Sequence, residues 1–320
     1  MKKIIALASA ALLLVGCSAN TQDQTTGENG DKLNIIATFY PVYDFTKNIV
    51  GEEGDVSLLI GAGTEAHGYE PSAKAIARMH EADVFVYLDE NMENWVEDVT
   101  PSLEEDGVVV VQASKGIELM PGTEEGEEHE GEDHHEEGEE HEGEHHHDYD
   151  PHLWLSPKMS IEVVNSIAEQ LVTAFPGRAE EFKANTKAYI TKLEALDTDY
   201  KNAFKDAKTR TFVTQHAAFG YLAREYQLKQ VAITGLSSEG EPSPQRLAEL
   251  TDFVKEHQVS CIYFEENASG KIAETLAEET GVSLEILNPL ESLTQEQIDQ
   301  GEDYISVMKE NLQALEKTIK

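Results

Sequence analysis

The chain has few cysteines and few basic residues, and each scarcity excludes a class of protein. Cys17 and Cys261 are the two cysteines among 320 residues. If Cys17 is modified or removed, the remaining thiol cannot form an internal disulfide, so the hydrophobic core must hold the fold. Lysine and arginine number 24 against 62 aspartates and glutamates, which gives a net charge of -38. Nucleic acids and acidic surfaces are therefore poor partners, whereas cations are good ones.

Long hydrophobic runs are also scarce, and the first one lies at the N-terminus. Lys2 and Lys3 precede the apolar or small residues 4–15, which are followed by a glycine and Cys17. This run is too short to span a bilayer, which takes about 20 apolar residues. The pattern is typical of a bacterial lipoprotein signal, so we predict a signal peptide over residues 1–16 and a lipid on Cys17. An ordinary signal peptide with an incidental cysteine is the alternative.

The next residues, 17–31, are polar and predict a flexible tether. From residue 32 onward, short runs rich in valine and isoleucine alternate with helical periodicity, which predicts α/β structure with parallel sheets. The predicted strands are 33–38, 56–60, 84–88 and 108–111, then 211–215, 230–234, 261–264 and 284–287. The predicted helices are 42–50, 72–81, 159–175, 219–226, 244–256, 271–279 and 302–317.

A stretch of about 30 residues without proline or glycine, 178–207, predicts a helix about 45 Å long. Four predicted strands lie on each side of it. We therefore predict an N-terminal lobe over 32–177 and a C-terminal lobe over 208–320, joined by this helix and separated by a cleft.

Residues 124–150 form a low-complexity insert in the first lobe. They comprise 15 acidic residues, 7 histidines, 4 glycines and one tyrosine. With no apolar surface to offset the entropy of ordering, the insert is expected to be a mobile loop that gathers zinc weakly. A solvated charge run without function is the alternative. The predicted auxiliary ligands are His129, His134, His135, His141, His145, His146 and His147.

Candidate metal ligands lie where strands end. Ligands of open α/β sheets bind just beyond the carboxyl ends of strands. His67, His216 and Glu291 each follow a predicted strand, and His152 lies between two prolines directly after the insert. Three imidazoles and one carboxylate suit tetrahedral zinc. For each histidine alone, a surface or core role is the alternative.

Other titratable residues have weaker positions. His80 and His257 lie within predicted helices, so we expect them to be ordinary surface or core histidines. Glu265 and Glu266 also follow a strand and could lie near the cleft, but we expect them to be structural or to cap the next helix.

Five segments together resemble the zinc-binding solute-binding lipoproteins of metal ABC importers (AdcA/ZnuA type), over most of residues 33–319. They are His67 with Tyr69-Glu70-Pro71, the acidic His-rich insert, Asp150-Pro151-His152-Leu153-Trp154-Leu155, Gln215-His216-Ala217-Ala218-Phe219 and Asn288-Pro289-Leu290-Glu291. The resemblance implies two Rossmann-like lobes with parallel sheets, joined by one long rigid helix with the metal site between them. It also implies three histidine ligands for Zn²⁺ and Glu291 as a weaker fourth ligand.

The same resemblance implies a function. The chain is expected to capture zinc outside the cytoplasm and deliver it to the membrane permease of an ABC importer, as a lipid-anchored monomer without enzymatic activity. Relatives that bind manganese carry a carboxylate where His216 stands, which favours zinc here. A receptor for manganese or another divalent metal, a surface zinc buffer and an adhesin are the alternatives. A zinc metalloenzyme is a rival class, but the chain has no His-Glu-x-x-His motif, nucleophile elbow or phosphate loop.

Overall fold

Two parallel sheets of four strands form the centres of two α/β lobes. The computed structural model describes residues 32–122, 149–237, 242–265 and 271–320. Within these ranges the strands are β1 (Leu33–Ala37), β2 (Gly54–Leu58), β3 (Val84–Tyr87), β4 (Val109–Gln112), β5 (Met120–Pro121), β6 (Tyr149–Asp150), β7 (Thr211–Thr214), β8 (Lys229–Ala232), β9 (Cys261–Phe264) and β10 (Ser283–Ile286). The predicted fold class is confirmed.

The two sheets share one topology. The first has the order β2-β1-β3-β4 and the second β10-β9-β7-β8, so in each lobe the first strand lies between the second and the third. All pairs in both sheets are parallel. Their central strands are apolar on both faces because helices cover both faces, as in β3, where all four residues are buried. The crevice at which a ligand is expected opens where the strand order reverses, between β1 and β3 and between β7 and β9.

The helices begin largely where side chains cap them. They are α1 (Tyr40–Val50), α2 (Ala73–His80), α3 (Val96–Glu105), α4 (Pro157–Ala174), α5 (Ala179–Phe204), α6 (Gly220–Glu225), α7 (Pro244–Glu256), α8 (Lys271–Thr280), α9 (Gln295–Gln300) and α10 (Tyr304–Glu316). The hydroxyls of Ser72, Ser156 and Ser243 each accept a hydrogen bond from the first turn of the helix that follows. Thr294 and Asp303 form capping boxes before α9 and α10. Among the described helices, none is long and apolar enough to cross a membrane.

Helix α5 connects the lobes. It has 26 residues, so its length is about 39 Å at 1.5 Å per residue, somewhat shorter than the predicted helix over 178–207. Its buried residues recur every three or four positions: Phe182, Thr186, Tyr189, Leu193, Leu196, Tyr200 and Phe204. This stripe packs on α1 and α4 from the first lobe and on α10 at the C-terminal end of the chain. One helix therefore contacts elements on both sides of the cleft.

Besides short 3₁₀ turns, two α-helices and one ribbon were not predicted. Helix α3 contains Pro101 and buries only three side chains, and α9 has six residues and buries none, so neither has clear apolar periodicity. The ribbon consists of β5 and β6, in which Met120 pairs with Asp150 and Pro121 with Tyr149. Its second strand comprises the last two residues of the predicted mobile insert, and the remainder of that insert, 124–148, lies outside the described residues.

Candidate metal centre

His67 lies on the loop between β2 and α2. The backbone N–H groups of Ala66 and His67 both donate to the Glu65 carboxylate, at 3.0 and 3.2 Å, which fixes the loop at this point. Gly68 follows with a φ of 68°, a left-handed conformation that a glycine adopts without strain. The turn aims the imidazole of His67 into the protein, where the residue is 4% exposed.

His152 follows β6 and begins a short 3₁₀ helix, Leu153–Leu155. Its backbone N–H and its ring Nδ1 both contact Asp150 Oδ1, each at 2.9 Å. With Nδ1 held as the donor to this carboxylate, Nε2 is the nitrogen left with a lone pair for a metal. His152 is fully buried and Asp150 nearly so.

His216 comes two residues after the end of β7. Its carbonyl accepts hydrogen bonds from the Thr214 hydroxyl at 2.7 Å and from the Gln230 amide at 2.9 Å. Its ring Nδ1 contacts the carboxylate of Glu265, which directly follows β9. The two side chains therefore meet where the strand order of this lobe reverses, and Nε2 of His216 again points to the centre.

Glu291 follows β10 on a turn that both lobes hold. Leu290 has a φ of 61°, in the left-handed region that favours glycine. The turn is fixed because the Asn311 side chain on α10 accepts from the Asn288 N–H at 2.8 Å and donates to its carbonyl at 2.7 Å. From the other lobe, the Trp154 indole N–H donates to the carbonyl of the proline before Leu290 at 2.8 Å.

The four predicted ligands come together with the spacing of a metal shell. Nε2 of His67 lies 3.1 Å from Nε2 of His152. Glu291 Oε1 lies 3.5 Å from both of these nitrogens and 3.2 Å from Nε2 of His216. Ligand atoms bound at about 2.0 Å around a tetrahedral zinc would lie about 3.3 Å from one another. This is the one group of its kind within the described ranges, and all four residues are buried.

Two atoms of this group have no well-formed hydrogen bond. His216 Nε2 and Glu291 Oε1 are buried and lie 3.2 Å from each other, but neither makes a hydrogen bond of good geometry within the described part of the chain. A metal ion between the four side chains would coordinate both atoms.

Burial and charge set the protonation of the ligands. Burial raises the pKa of Glu291, but the three imidazoles around it outweigh this effect and hold that pKa well below its usual range. Burial also lowers the pKa of His67, although Glu291 partly opposes that shift. Glu291 is therefore an anion and His67 is biased towards its neutral form, which are the states that bind a cation.

The other two imidazoles each have a carboxylate behind them. Burial lowers the pKa of His152, but Asp150 and Glu291 more than reverse this and raise it overall. The pKa of His216 is raised well above its usual value because Glu265 and Glu291 outweigh burial. A metal must therefore displace protons from this side of the site, so binding releases protons.

The structure differs from the sequence-based expectations at two residues. The sequence predicts Asp150 to be part of a mobile insert and Glu265 to be structural or capping, but both are buried against the rings of candidate ligand histidines. For Glu265 a signal was present, because it follows a strand as His216 does. Glu266 lies outside the described residues.

The remaining candidates lie elsewhere. His80 pairs with Asp106 at 2.7 Å, and His257 contacts the Phe253 carbonyl at 3.1 Å, so neither joins the cluster, as expected. Cys17 and the seven histidines of the insert lie outside the described residues.

Replacing Glu265 with glutamine is expected to weaken zinc binding about 10- to 100-fold, the usual effect of losing a carboxylate behind a ligand histidine. The amide still occupies the space, but it carries no charge to polarise the His216 ring. Competition with a chelator of known affinity measures the change, and Glu249→Gln on α7 is the control. Equal affinity in wild type and Glu265→Gln would contradict this role.

The geometry defines a class of protein: a two-lobed α/β protein whose described residues bring one buried group of candidate divalent-metal ligands together between the lobes. Comparison with known families agrees, since the sequence model described as "ZnuA: Zinc-uptake complex component A periplasmic" matches residues 35–318. The chain belongs to this family.

Individual relatives are similar over nearly the whole chain. It is 53% identical over 323 residues to the "Zinc-binding lipoprotein AdcA" of Streptococcus pneumoniae, covering 99% of this chain and 61% of that protein. It is 48% identical over 316 residues to the "High-affinity zinc uptake system protein ZnuA" of Bacillus subtilis, covering 99% of this chain and 97% of that protein. The chain thus spans about three-fifths of the length of the AdcA proteins that it matches.

A solved structure has the same fold. The Zn(II)-bound ZnuA-like domain of Streptococcus pneumoniae AdcA superimposes with a TM-score of 0.77 at 49% sequence identity. The match covers 90% of this chain and 99% of that domain.

Proposed function

We propose that this protein captures zinc outside the cytoplasm and delivers it to an ABC-type importer. The observation that carries the proposal is the buried group of three imidazoles and one carboxylate at the spacing of a tetrahedral shell. Membership of a zinc-uptake family and the zinc-bound state of a structural neighbour support it.

The ligand chemistry favours zinc over manganese. Zinc accepts nitrogen ligands in a closed tetrahedral shell, whereas Mn²⁺ favours oxygen-rich sites. His67, His152 and His216 supply three nitrogens, and Glu291 supplies one oxygen. Copper outranks zinc in intrinsic affinity for such a set, so the physiological cargo also depends on which metals are available.

A closed shell also argues against an enzyme. Catalytic zinc sites keep one position open for water or substrate, and structural or storage sites fill all four. Here Glu291 lies as close to the three ring nitrogens as a fourth ligand should. Capture and release, rather than hydrolysis, is the activity that such a site supports.

The proposal places the protein on the outer face of the cell membrane. Residues 1–16 serve as the signal peptide, Cys17 carries the lipid, and 17–31 tether a monomeric body to the membrane. That body consists of the lobes 32–177 and 208–320, joined by the helix predicted over 178–207. The partner is the permease of a zinc importer. A single acyl group binds a membrane only marginally, so we expect Cys17 to carry several acyl groups.

We further propose that the seven histidines of 124–150 collect zinc before the central site binds it. A flexible segment loses entropy when it closes around an ion, so its sites should be weaker than the preformed cluster. Its 15 carboxylates raise the local cation concentration. Since α5 contacts both sides of the cleft, release is expected to involve small lobe shifts and loop reordering.

The experiment is a calorimetric zinc titration of the metal-stripped chain and of a chain that lacks 124–148. This deletion spares Tyr149 and Asp150 and leaves Gly122 and Thr123 as a two-residue hairpin connection, the commonest length. We expect one tight site in both proteins and additional weak sites only in the intact chain. If the deletion removes the tight site, the histidine-rich segment is the main zinc site and the chain acts as a buffer.

A further inference from the structure

The ribbon of β5 and β6 needs support from outside itself. It has two residue pairs, Met120 with Asp150 and Pro121 with Tyr149. Isolated two-stranded ribbons are marginal in water even when they are longer. Yet this ribbon positions Asp150, whose carboxylate holds both the backbone and the ring of His152. Something else must therefore fix the ribbon.

Tyr221, on α6 of the other lobe, supplies that support. Its hydroxyl accepts a hydrogen bond from the Met120 N–H at 2.7 Å and donates one to the Asp150 carbonyl at 2.9 Å. The residue is fully buried, and the Arg224 guanidinium lies 5.1 Å from its ring centre. One hydroxyl of the C-terminal lobe thus bridges both strands of a ribbon in the N-terminal lobe.

Gly220 makes this approach possible. A Cβ at this position would lie 2.8 Å from Asp150 Oδ2, closer than carbon and oxygen can pack. The carboxylate could retreat only by rotating, but its other oxygen is bound to the N–H and ring of His152. The missing side chain therefore lets α6 press against the group that orients His152.

We propose that Tyr221 is a positioning residue that couples the metal ligand His152 to the contact between the lobes, an inference that rests on the proposed function. The segment 216–221 then has two roles: His216 binds the metal directly, and Tyr221 holds the ribbon that orients the ligand from the other lobe. Movement of α6 away from the ribbon breaks both hydrogen bonds, frees Asp150 and loosens His152. Separation of the lobes thereby promotes zinc release.

The first test compares Tyr221→Phe with wild type by stopped-flow zinc dissociation, with a chelator in excess. We expect dissociation about 5- to 50-fold faster, the effect of one or two lost buried hydrogen bonds. Gly220→Ala is a second variant and should change the rate in the same direction. Tyr200→Phe is the matched control, because its buried hydroxyl donates to the Met308 carbonyl and contacts no ligand.

Two further readouts separate positioning from general stability. The visible absorption of bound Co²⁺ reports ligand geometry, and we expect Tyr221→Phe to alter it while Tyr200→Phe leaves it unchanged. Tyr221→Phe and Asp150→Asn should be non-additive in dissociation rate, since both act through His152. Wild-type rates and spectra in Tyr221→Phe, or full additivity with Asp150→Asn, would overturn the proposal.

Failure of the proposed function would look different. In that case wild-type protein itself would show no tight zinc site that depends on His216. The Tyr221 experiment is read only against a wild type that has such a site, so the two failures are distinguishable.

Discussion

Exchanging both His67 and His216 for alanine is expected to abolish tight zinc binding. The two residues come from different lobes, and Nε2 of each lies within 3.5 Å of Glu291 Oε1. Structural zinc sites are worth about 10–16 kcal/mol, or roughly 3 kcal/mol per ligand, so losing two ligands should weaken binding by more than about 1,000-fold. Calorimetry of the metal-stripped proteins measures the loss.

The matched control is His80→Ala/His257→Ala, which removes two histidines that pair elsewhere. This variant should retain the tight site with wild-type affinity. Circular dichroism of both double variants shows whether they fold. Tight binding that survives in folded His67→Ala/His216→Ala would show that the cluster is not the zinc site, and would direct attention to the histidines of 124–150.

The lobes could be predicted because their central strands are largely buried on both faces. Such strands form short valine- and isoleucine-rich runs that stand out from polar surroundings, as β3 does. All eight predicted strands start and end within two residues of the observed ones, and 261–264 coincides with β9. Helix α3 was missed because Pro101 and three buried residues leave little periodic signal.

His67, His216 and Glu291 could be predicted as candidate ligands from their positions after strands, but the same position did not reveal which ring Glu265 contacts. Asp150 and Glu265 are acidic residues in a chain with 62 of them, so nothing in composition distinguishes them. Their role depends on which ring each carboxylate faces, and side-chain packing decides that. The role of Tyr221 is harder still to predict from the sequence. Its hydroxyl forms hydrogen bonds with backbone atoms of the other lobe that lie 71 and 101 positions away along the chain.

The N-terminal lobe also has a buried carboxylate at the crevice where its strand order reverses. This carboxylate belongs to Glu93, which is not one of the candidate metal ligands. Glu93 accepts hydrogen bonds from the Thr38 hydroxyl, at the end of β1, and from the Leu88 and Asp89 N–H groups, at the end of β3. It thus fills the point where the strand order reverses, as Glu265 and His216 do in the other lobe. Burial raises its pKa to about 8, although these hydrogen bonds oppose the shift.

Because of this raised pKa, Glu93 stabilises the metal-free protein less as the pH rises from about 4.5 to about 8. The folded state holds the Glu93 proton more tightly than the unfolded state, whose pKa is near 4.5. The contribution of Glu93 to stability is therefore complete below about pH 4.5, falls as the pH rises, and levels off above about pH 8. The shift corresponds to a loss of roughly 3–5 kcal/mol in the free energy of unfolding across that window.

Glu93→Gln isolates this contribution, because glutamine does not titrate. We expect the unfolding free energy of wild type minus that of Glu93→Gln to decrease by several kcal/mol between pH 5 and pH 9, measured by urea denaturation with chelator present. Tyr200→Phe is the control, since the pKa of Tyr200 is raised well above 10 and its difference from wild type should stay constant. A constant difference for Glu93→Gln as well would mean that the Glu93 carboxylate ionises in the folded protein without cost. The crevice would then have to admit water or a cation beside Glu93, and the closed packing around Thr38 would not describe the protein in solution.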